Sequence, residues 1–194
     1  MSDRIRTALF GGTFNPLHNG HLAIAQSVLE QGLADEVWIL ITPCNPWKKD
    51  QALLDDRLRY NMVAQAVKEM DGVRASDYEF KLDKPSYTAN TLRRISADYP
   101  DREFILTIGA DNWVKFHNWR EADFILKNYP IIVYPRQGYP IENVSGNVTL
   151  LDCPLMDISS TQIRQMVHNG TPINELVPAS VARTILEKKL YTNI

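Results

Sequence analysis

Two histidines three residues apart follow a glycine-rich turn near the start of the chain, and their type and spacing point to anion chemistry. The segment is Gly11-Gly12-Thr13-Phe14-Asn15-Pro16-Leu17-His18-Asn19-Gly20-His21. Glycines leave the backbone open to a ligand, and a helix that begins near Asn19 or Gly20 offers free N–H groups with a partial positive charge. Because residues three apart share one helix face, His18 and His21 can both face a phosphate held there. The pattern predicts a phosphate-binding loop.

Simpler explanations of the same segment stay open at this point. The glycines and the proline also suit a tight turn between a strand and a helix, and either histidine can cap or pack against that helix. A zinc pair needs further ligands, and His117 and His168 lie far away without ligand-like spacing. The segment matches neither the Walker pattern nor GxGxxG, so it does not predict P-loop hydrolysis or dinucleotide redox chemistry.

A second polar cluster stands near the other end of the chain, in Ile158-Ser159-Ser160-Thr161-Gln162-Ile163-Arg164. Ser159 followed three residues later by Gln162 predicts a capping box, so a helix begins here whatever the function. Capping leaves Arg164 unexplained, because it adds a permanent cation beside a helix end that already attracts anions. The alternative is an ordinary solvent-exposed arginine.

Short apolar runs alternate with helical patterns along the chain, and together they must position these two clusters. Strands are predicted at 6–10, 36–42, 73–80, 103–108, 131–134 and 148–151. Helical spacing of apolar residues occupies 22–29, 54–70, 92–95, 112–128, 160–168 and 179–189. Such alternation is typical of an α/β fold with a doubly wound, mostly parallel sheet, in which ligands bind beyond the carboxyl ends of the strands.

Composition excludes several classes of protein. The chain has 194 residues, 44% of them hydrophobic, and a net charge of −2, so it lacks the broad basic field of a nucleic-acid binder. Its apolar runs are too short to span a membrane and its start lacks a signal peptide, so we expect a cytoplasmic protein. The two cysteines form no CxxC pair and predict neither disulfides nor a zinc site.

The two motifs together resemble the HxGH nucleotidyltransferase superfamily, whose second motif reads ISSTxIR. Within it the chain is most similar to bacterial nicotinate-nucleotide adenylyltransferases, from about Thr7 to Leu190. The resemblance implies a Rossmann-like nucleotidyltransferase fold in one domain, 1–194, with a C-terminal helical part at about 157–194. It also implies adenylyl transfer from ATP to nicotinate mononucleotide, which gives nicotinate adenine dinucleotide and pyrophosphate, with Mg²⁺ carried by the ATP phosphates.

The resemblance also assigns roles to particular residues. It implies that the catalytic residues are His18, His21, Lys48 and Arg164. It implies ATP contacts from Gly11, Gly12, Thr13, Phe14, His21, Gly109, Asp111, Ile158, Ser159, Ser160, Thr161 and Arg164. It implies mononucleotide contacts from Asn15, Lys48, Thr88, Trp119 and Arg136. Gln137 stands where the family usually has proline, which weakens the assignment of Arg136.

Residue chemistry leaves alternatives to some of these roles. Asp111 can cap a helix instead of binding a ribose, or it can do both. Trp119 can instead be a core residue, as most tryptophans are. Nicotinamide mononucleotide and phosphopantetheine are alternative acceptors, and a nucleotide-binding module without turnover is the alternative of another class. We expect ATP and a mononucleotide as partners, neither nucleic acid nor membrane, and homo-oligomers are possible.

Overall fold

A computed structural model describes residues 4–43, 53–141, 144 and 146–192. Six parallel strands form one sheet in the order β3-β2-β1-β4-β5-β6. They are β1 (Ile5–Gly12), β2 (Glu36–Ile41), β3 (Val73–Ser76), β4 (Arg102–Gly109), β5 (Ile131–Tyr134) and β6 (Val148–Leu150). The helices are α1 (Asn19–Glu30), α2 (Asp56–Ala66), α3 (Thr88–Asp98), α4 (Ala110–Trp113), α5 (Ala122–Asn128), α6 (Ser160–His168) and α7 (Ala179–Glu187).

The predicted α/β class and the doubly wound parallel sheet are confirmed. The two least interrupted apolar strands, β2 and β4, each pair with a neighbour on both sides, because strands covered on both faces and both edges need apolar residues throughout. Two clusters of buried residues lie on the two faces of the sheet. One contains Trp38 with α3 and α5, and the other packs α1 and α2 with residues of α6 and α7.

Two predicted elements are wrong in extent. The third strand stops at Ser76 instead of residue 80, and a 3₁₀ helix, Tyr78–Lys81, follows it. Tyr78 turns inward there and donates a hydrogen bond from its hydroxyl to Asp98 on α3, at 2.6 Å. The helical stretch predicted at 112–128 is divided into α4, a 3₁₀ turn (Phe116–Asn118) and α5, because the aromatic residues of this region pack against one another rather than along one helix stripe.

The strand order reverses direction at the centre of the sheet, where β1 lies between β2 and β4. The helix α1 follows β1 on one face of the sheet, and α5 follows β4 on the other face. A crevice therefore opens beyond the carboxyl ends of β1 and β4. Both predicted motifs lie at this carboxyl edge of the sheet. The first motif connects β1 to α1, and the start of α6 packs against that connection. Among the described residues, none of the helices is long and apolar enough to cross a membrane.

Candidate active site

A recess, here called the main cavity, lies at this carboxyl edge and has a volume of about 370 Å³. Its walls come from the ends of β1, β2 and β4, from the start of α3 and from the segment around Trp119. Leu9, Leu40 and Leu106 supply an apolar floor, and Gly11 and Gly12 let the β1 backbone form part of the wall. A recess of this size suits one ring-bearing small molecule.

The wall of the main cavity also carries polar side chains that the fold does not satisfy. Glu79 is 5% exposed, and its Oε1 accepts a hydrogen bond from the Thr91 hydroxyl at 2.7 Å. Among the described residues, Glu79 Oε2, Ser86 Oγ and Thr107 Oγ1 are buried without a hydrogen-bond partner. Burial raises the pKa of Glu79 above its ordinary value, because the charged carboxylate loses its hydration. Buried polar atoms without partners are unusual in a folded protein and mark this wall as a candidate binding surface.

The amino end of α3 opens into the main cavity. Tyr87 is the N-cap residue and supplies no side-chain cap, and the first turn carries no acidic residue. Tyr87 and Thr88 both line the cavity, so helix N–H groups and a partial positive charge lie at its wall. The predicted mononucleotide contact Thr88 is therefore well placed for an anionic group.

Trp119 forms another wall of the main cavity, directly after the 3₁₀ turn. It is half-buried and its ring centroid lies 5.4 Å from that of Phe116, while Trp113 stacks on Phe116 at 5.3 Å. Among the described lining residues Trp113 is absent, so the two tryptophans differ. Trp119 combines a packed edge with access to the recess, which a purely core tryptophan does not have.

The two histidines lie beside the main cavity, in the segment 13–21 that we call the histidine loop. Their rings stack with centroids 3.6 Å apart, and they are 3% and 9% exposed. His18 is the N-cap of α1, and its backbone N–H donates to His21 Nδ1 at 3.2 Å. Because Nδ1 accepts, the neutral ring of His21 carries its proton on Nε2. The histidine loop therefore presents one imidazole in a fixed tautomer.

His18 is held neutral at physiological pH. Burial lowers its pKa to about 4, and the positive charge of Arg136 acts in the same direction. Within the described part of the chain, His18 Nδ1 has no hydrogen-bond partner. His18 and Arg136 both line a second cavity of about 20 Å³, which shares Tyr134 with the main cavity.

Glycines within the motifs are required by close packing around these rings. A Cβ on Gly20 would come within 3.1 Å of His18 Nδ1, which explains why a glycine stands between the two histidines. A Cβ on Gly12 would come within 3.0 Å of the Phe14 ring, and Phe14 in turn packs edge-on against His21 at 4.9 Å. The glycines thus position the histidines as well as opening the backbone.

The second motif contacts the histidine loop through backbone oxygens. Ser160 Oγ donates to the Pro16 carbonyl at 2.9 Å, and Arg164 Nη1 donates to the Asn15 carbonyl at 2.8 Å. The hydroxyl of Ser159 caps α6 by accepting from the Gln162 N–H at 3.1 Å, which confirms the predicted cap, whereas the described hydrogen bonds do not include the return bond of a capping box from the Gln162 side chain. The expectation of a merely solvent-exposed Arg164 is wrong, since its guanidinium is half-buried and bonded.

The remaining predicted residues lie around the end of β4. A Cβ on Gly109 would overlap Asp111 Oδ1 and come within 3.0 Å of the Tyr134 ring. Asp111 Oδ1 lies 3.8 Å from Arg136 Nε, an ion pair at the edge of the second cavity. Gly109 lines the main cavity and Ile158 the second, so this region bridges the two.

The structure thus brings most of the predicted site to one sheet edge, with two differences. Asn15 is 2% exposed, and its Oδ1 accepts a hydrogen bond from the Tyr191 hydroxyl, so its side chain is buried in the protein and is absent from the described wall of the main cavity. Lys48 falls within 44–52, outside the described residues. No three His, Cys, Asp or Glu side chains of the described ranges are grouped as metal ligands.

Sequence reasoning missed Arg59, Glu79 and Tyr191. Arg59 is fully buried, and it stands on the apolar face of α2 beside Met62 and Val63. A charged residue within an apolar stripe is a signal that could have singled it out. Glu79 was assigned to a strand, and Tyr191 carries no recognisable pattern in the sequence.

Comparison with known proteins agrees with this geometry. Residues 9–166 match the cytidylyltransferase-like family. A probable nicotinate-nucleotide adenylyltransferase of Bacteroides fragilis is 41% identical over 95% of this chain and 93% of its own. A probable nicotinate-nucleotide adenylyltransferase of Cytophaga hutchinsonii is 43% identical over 97% of this chain and 100% of its own.

A solved structure shows the same fold. The Plasmodium falciparum nicotinic acid mononucleotide adenylyltransferase complexed with NaAD superposes with a TM-score of 0.83 over 97% of this chain and 98% of that one, at 19% identity. The predicted family and enzyme class are confirmed. The chain belongs to the nicotinate-nucleotide adenylyltransferase family of cytidylyltransferase-like proteins.

Proposed function

We propose that this enzyme transfers the adenylyl group of ATP to nicotinate mononucleotide, which gives nicotinate adenine dinucleotide and pyrophosphate. The observation that carries the assignment is the placement of a ring-sized main cavity, with Trp119 and the amino end of α3 in its wall, beside the stacked histidines. The relatives bear the name of this activity over almost their entire length. Their shared sequence supports the same reaction in this chain.

The acid form of the acceptor suits the main cavity better than the amide. A pyridine carboxylate is attracted to the free N–H groups of Tyr87 and Thr88 at the start of α3, whereas a neutral amide gains less from that partial charge. Arg120 also lines the cavity, and no acidic residue of the first helical turn opposes the anion. The Trp119 indole offers a face for an electron-poor ring.

ATP then binds next to the histidine loop. The second cavity, lined by His18, Arg136 and Ile158, adjoins the start of α1 and is separated from the main cavity by Tyr134. In this arrangement the α-phosphate of ATP lies between the two cavities. There the His21 Nε2–H can face the phosphate oxygens that gain charge during transfer.

The chemical step is one in-line displacement at phosphorus. An oxygen of the acceptor phosphate forms a bond to the ATP α-phosphorus, and the bond from that phosphorus to the pyrophosphate oxygen breaks. The attacking phosphate is already an anion near neutral pH, so a general base is not needed. The chain contributes alignment of two anionic reactants and stabilisation of charge by His18, His21 and Arg164, with Lys48 as a further predicted contact.

Magnesium fits this site as part of the nucleotide substrate. Asp111 is paired with Arg136, and the described residues contain no group of three or more His, Cys, Asp or Glu side chains that could hold a metal ion. Mg²⁺ commonly binds one or two carboxylates together with substrate phosphates and waters, so the ATP phosphates supply its main ligands. Carried by those phosphates, Mg²⁺ would supply positive charge to offset the charge of the pyrophosphate.

Pyrophosphate release with ATP and Mg²⁺ tests the proposal. Parallel assays use nicotinate mononucleotide, nicotinamide mononucleotide and phosphopantetheine, and we expect the highest kcat/KM with the first. A higher value with either of the others would replace the acceptor that we propose. ATP binding without release for any acceptor would instead indicate a nucleotide-binding module. We further infer a cytoplasmic location. Light scattering measures whether the enzyme forms homo-oligomers.

A further inference from the structure

The turn between β1 and α1 is held from behind by four hydrogen bonds to its oxygen atoms, all donated by residues distant in sequence. Arg59 Nη1 donates to the Thr13 carbonyl, and Arg164 Nη1 to that of Asn15. Ser160 Oγ donates to the Pro16 carbonyl at 2.9 Å, and the Tyr191 hydroxyl donates to Asn15 Oδ1, also at 2.9 Å. These donors come from α2, α6 and the segment after α7.

Arg59 and Tyr191 lie outside both motifs, and they are the more deeply buried members of this set. Arg59 is 0% exposed, and besides Thr13 it donates to the carbonyls of Leu54 at 3.0 Å and Thr42 at 3.3 Å. It therefore joins the turn after β1 to the turn after β2. Tyr191 is 6% exposed, and burial raises its pKa, so its hydroxyl remains a donor over the physiological range.

The turn itself is strained. Phe14 has φ of 45°, in the left-handed region that residues with side chains rarely adopt. Such a conformation is unfavourable in free energy and persists only where the surroundings over-determine it. The four hydrogen bonds supply that constraint, and strain held in this way is common at ligand-binding turns.

We propose that Arg59 and Tyr191 are positioning residues, which turn the oxygen atoms of residues 13–16 into the protein so that the opposite side of the turn is left for phosphate. In a planar trans peptide the C=O and N–H groups point in opposite directions. With the Thr13 carbonyl held by Arg59, the N–H of Phe14 faces away from Arg59. A rotated peptide would instead direct a carbonyl oxygen, with its partial negative charge, at the ATP phosphates.

The inference rests on the proposed function, and Tyr191→Phe tests it with a minimal change. We expect kcat to fall about tenfold with the KM for nicotinate mononucleotide changed less than about twofold, because the main cavity is untouched and a small misplacement slows the chemical step. Tyr78→Phe is the matched control. It removes a buried tyrosine hydroxyl bond of 2.6 Å, to Asp98, far from the turn.

The control separates positioning from stability. Both variants should lower Tm to a similar extent, whereas Tyr78→Phe should keep the kcat of the wild type. Arg59→Lys retains the charge, but one ammonium nitrogen cannot take the places of both Nε, which donates to Leu54, and Nη1, which donates to Thr13 and Thr42, so we expect a decrease in kcat of about a hundredfold. If this variant does not fold, Tyr191→Phe alone decides the inference.

Two results would overturn the positioning role. One is an unchanged kcat in Tyr191→Phe, and the other is an equal loss of kcat in Tyr191→Phe and Tyr78→Phe. Either result counts only against this inference when the wild type releases pyrophosphate with nicotinate mononucleotide. A wild type that is inactive with this acceptor contradicts the proposed function instead.

Discussion

The main cavity and the histidine loop share one edge of the sheet, but they are built in opposite ways. The cavity is a recess of about 370 Å³, and in its described wall buried polar atoms of Glu79, Ser86 and Thr107 lack partners. The histidine loop adjoins a space of only about 20 Å³, and its backbone oxygens bond to α2 and α6. The main cavity therefore has polar atoms available to bind a ligand, whereas the histidine loop is already held in one conformation by the protein.

This difference predicts two kinds of defect. A recess that binds by shape and burial loses affinity when one wall residue is removed, so KM rises. A rigid loop that aligns donors with a reacting phosphate loses turnover instead, because its contacts matter most in the transition state. Substitutions in the two regions can therefore confirm or break the contrast.

The largest effect is expected for His21→Ala in the histidine loop. If the His21 Nε2–H faces the developing charge as we propose, its removal should lower kcat by about a hundredfold to a thousandfold. Tm should fall only modestly, because the substitution removes a hydrogen bond from the His18 N–H and ring contacts with Phe14 and His18. Steady-state kinetics and thermal melting of the same preparation check both quantities.

His168→Ala is the matched control for that substitution. His168 is exposed at the far end of α6, and its Nδ1 lies 3.1 Å from the Thr192 carbonyl oxygen. This variant should keep wild-type turnover. If His21→Ala lost Tm and kcat in proportion, His21 would be a packing residue and the contrast between the two regions would fail.

The second effect concerns the pH dependence of stability on the side of the histidine loop. The folded state holds His18 neutral down to a pKa of about 4, whereas an unfolded histidine keeps its ordinary value of 6.5. Between these values the unfolded state binds the extra proton, so the free energy of unfolding falls as pH decreases from 6.5 toward 4. The loss amounts to about 3 kcal/mol at most.

Urea unfolding of the wild type and of His18→Gln across that interval measures this loss. Glutamine does not titrate, so the variant should lose less stability on acidification than the wild type does. Parallel curves for the two proteins would show that His18 becomes charged as readily in the folded state as in the unfolded one. The histidine loop would then be less tightly closed than its 3% exposure implies.

Features encoded in short stretches of sequence were predicted, whereas contacts between distant residues were not. Periodicity predicted six strands in a mostly parallel sheet. The two motifs indicated the histidine site, the cap at Ser159 and the family, because each of these is encoded in a short stretch of sequence. Sequence could not place Tyr191 against Asn15, since they are 176 positions apart and only the packing of α7 joins them. It also assigned Glu79 to a strand, because the burial that defines its role depends on Thr91 and α3.

A third prediction concerns the wall of the main cavity. Trp119→Ala should raise the KM for nicotinate mononucleotide about tenfold and leave the KM for ATP nearly unchanged, because one stacking surface for the ring is lost. Trp113→Ala, which removes a ring stacked on Phe116, is the control for damage to this aromatic cluster. A rise in the KM for ATP in Trp119→Ala would place the tryptophan on the nucleotide side.

The smallest effect is expected for Glu79→Gln, which keeps the size of the side chain and an oxygen that can accept from Thr91. Burial raises the pKa of the Glu79 carboxyl in the folded state, while the unfolded chain keeps the ordinary value of 4.5. Above that ordinary value the folded state retains a proton that the unfolded state has released. The free energy of unfolding therefore falls as pH rises, until the raised pKa is passed.

Glu79→Gln has no such proton, so its stability relative to the wild type should increase as pH rises from the ordinary value of 4.5 toward the raised pKa. Urea unfolding of both proteins over this range gives the difference directly. The two regions then titrate in opposite senses, since acid destabilises the histidine loop through His18 and alkali destabilises the cavity wall through Glu79. A constant difference between wild type and Glu79→Gln would mean that the carboxyl is already ionised in the fold, and the cavity wall would then oppose an acidic acceptor rather than admit it.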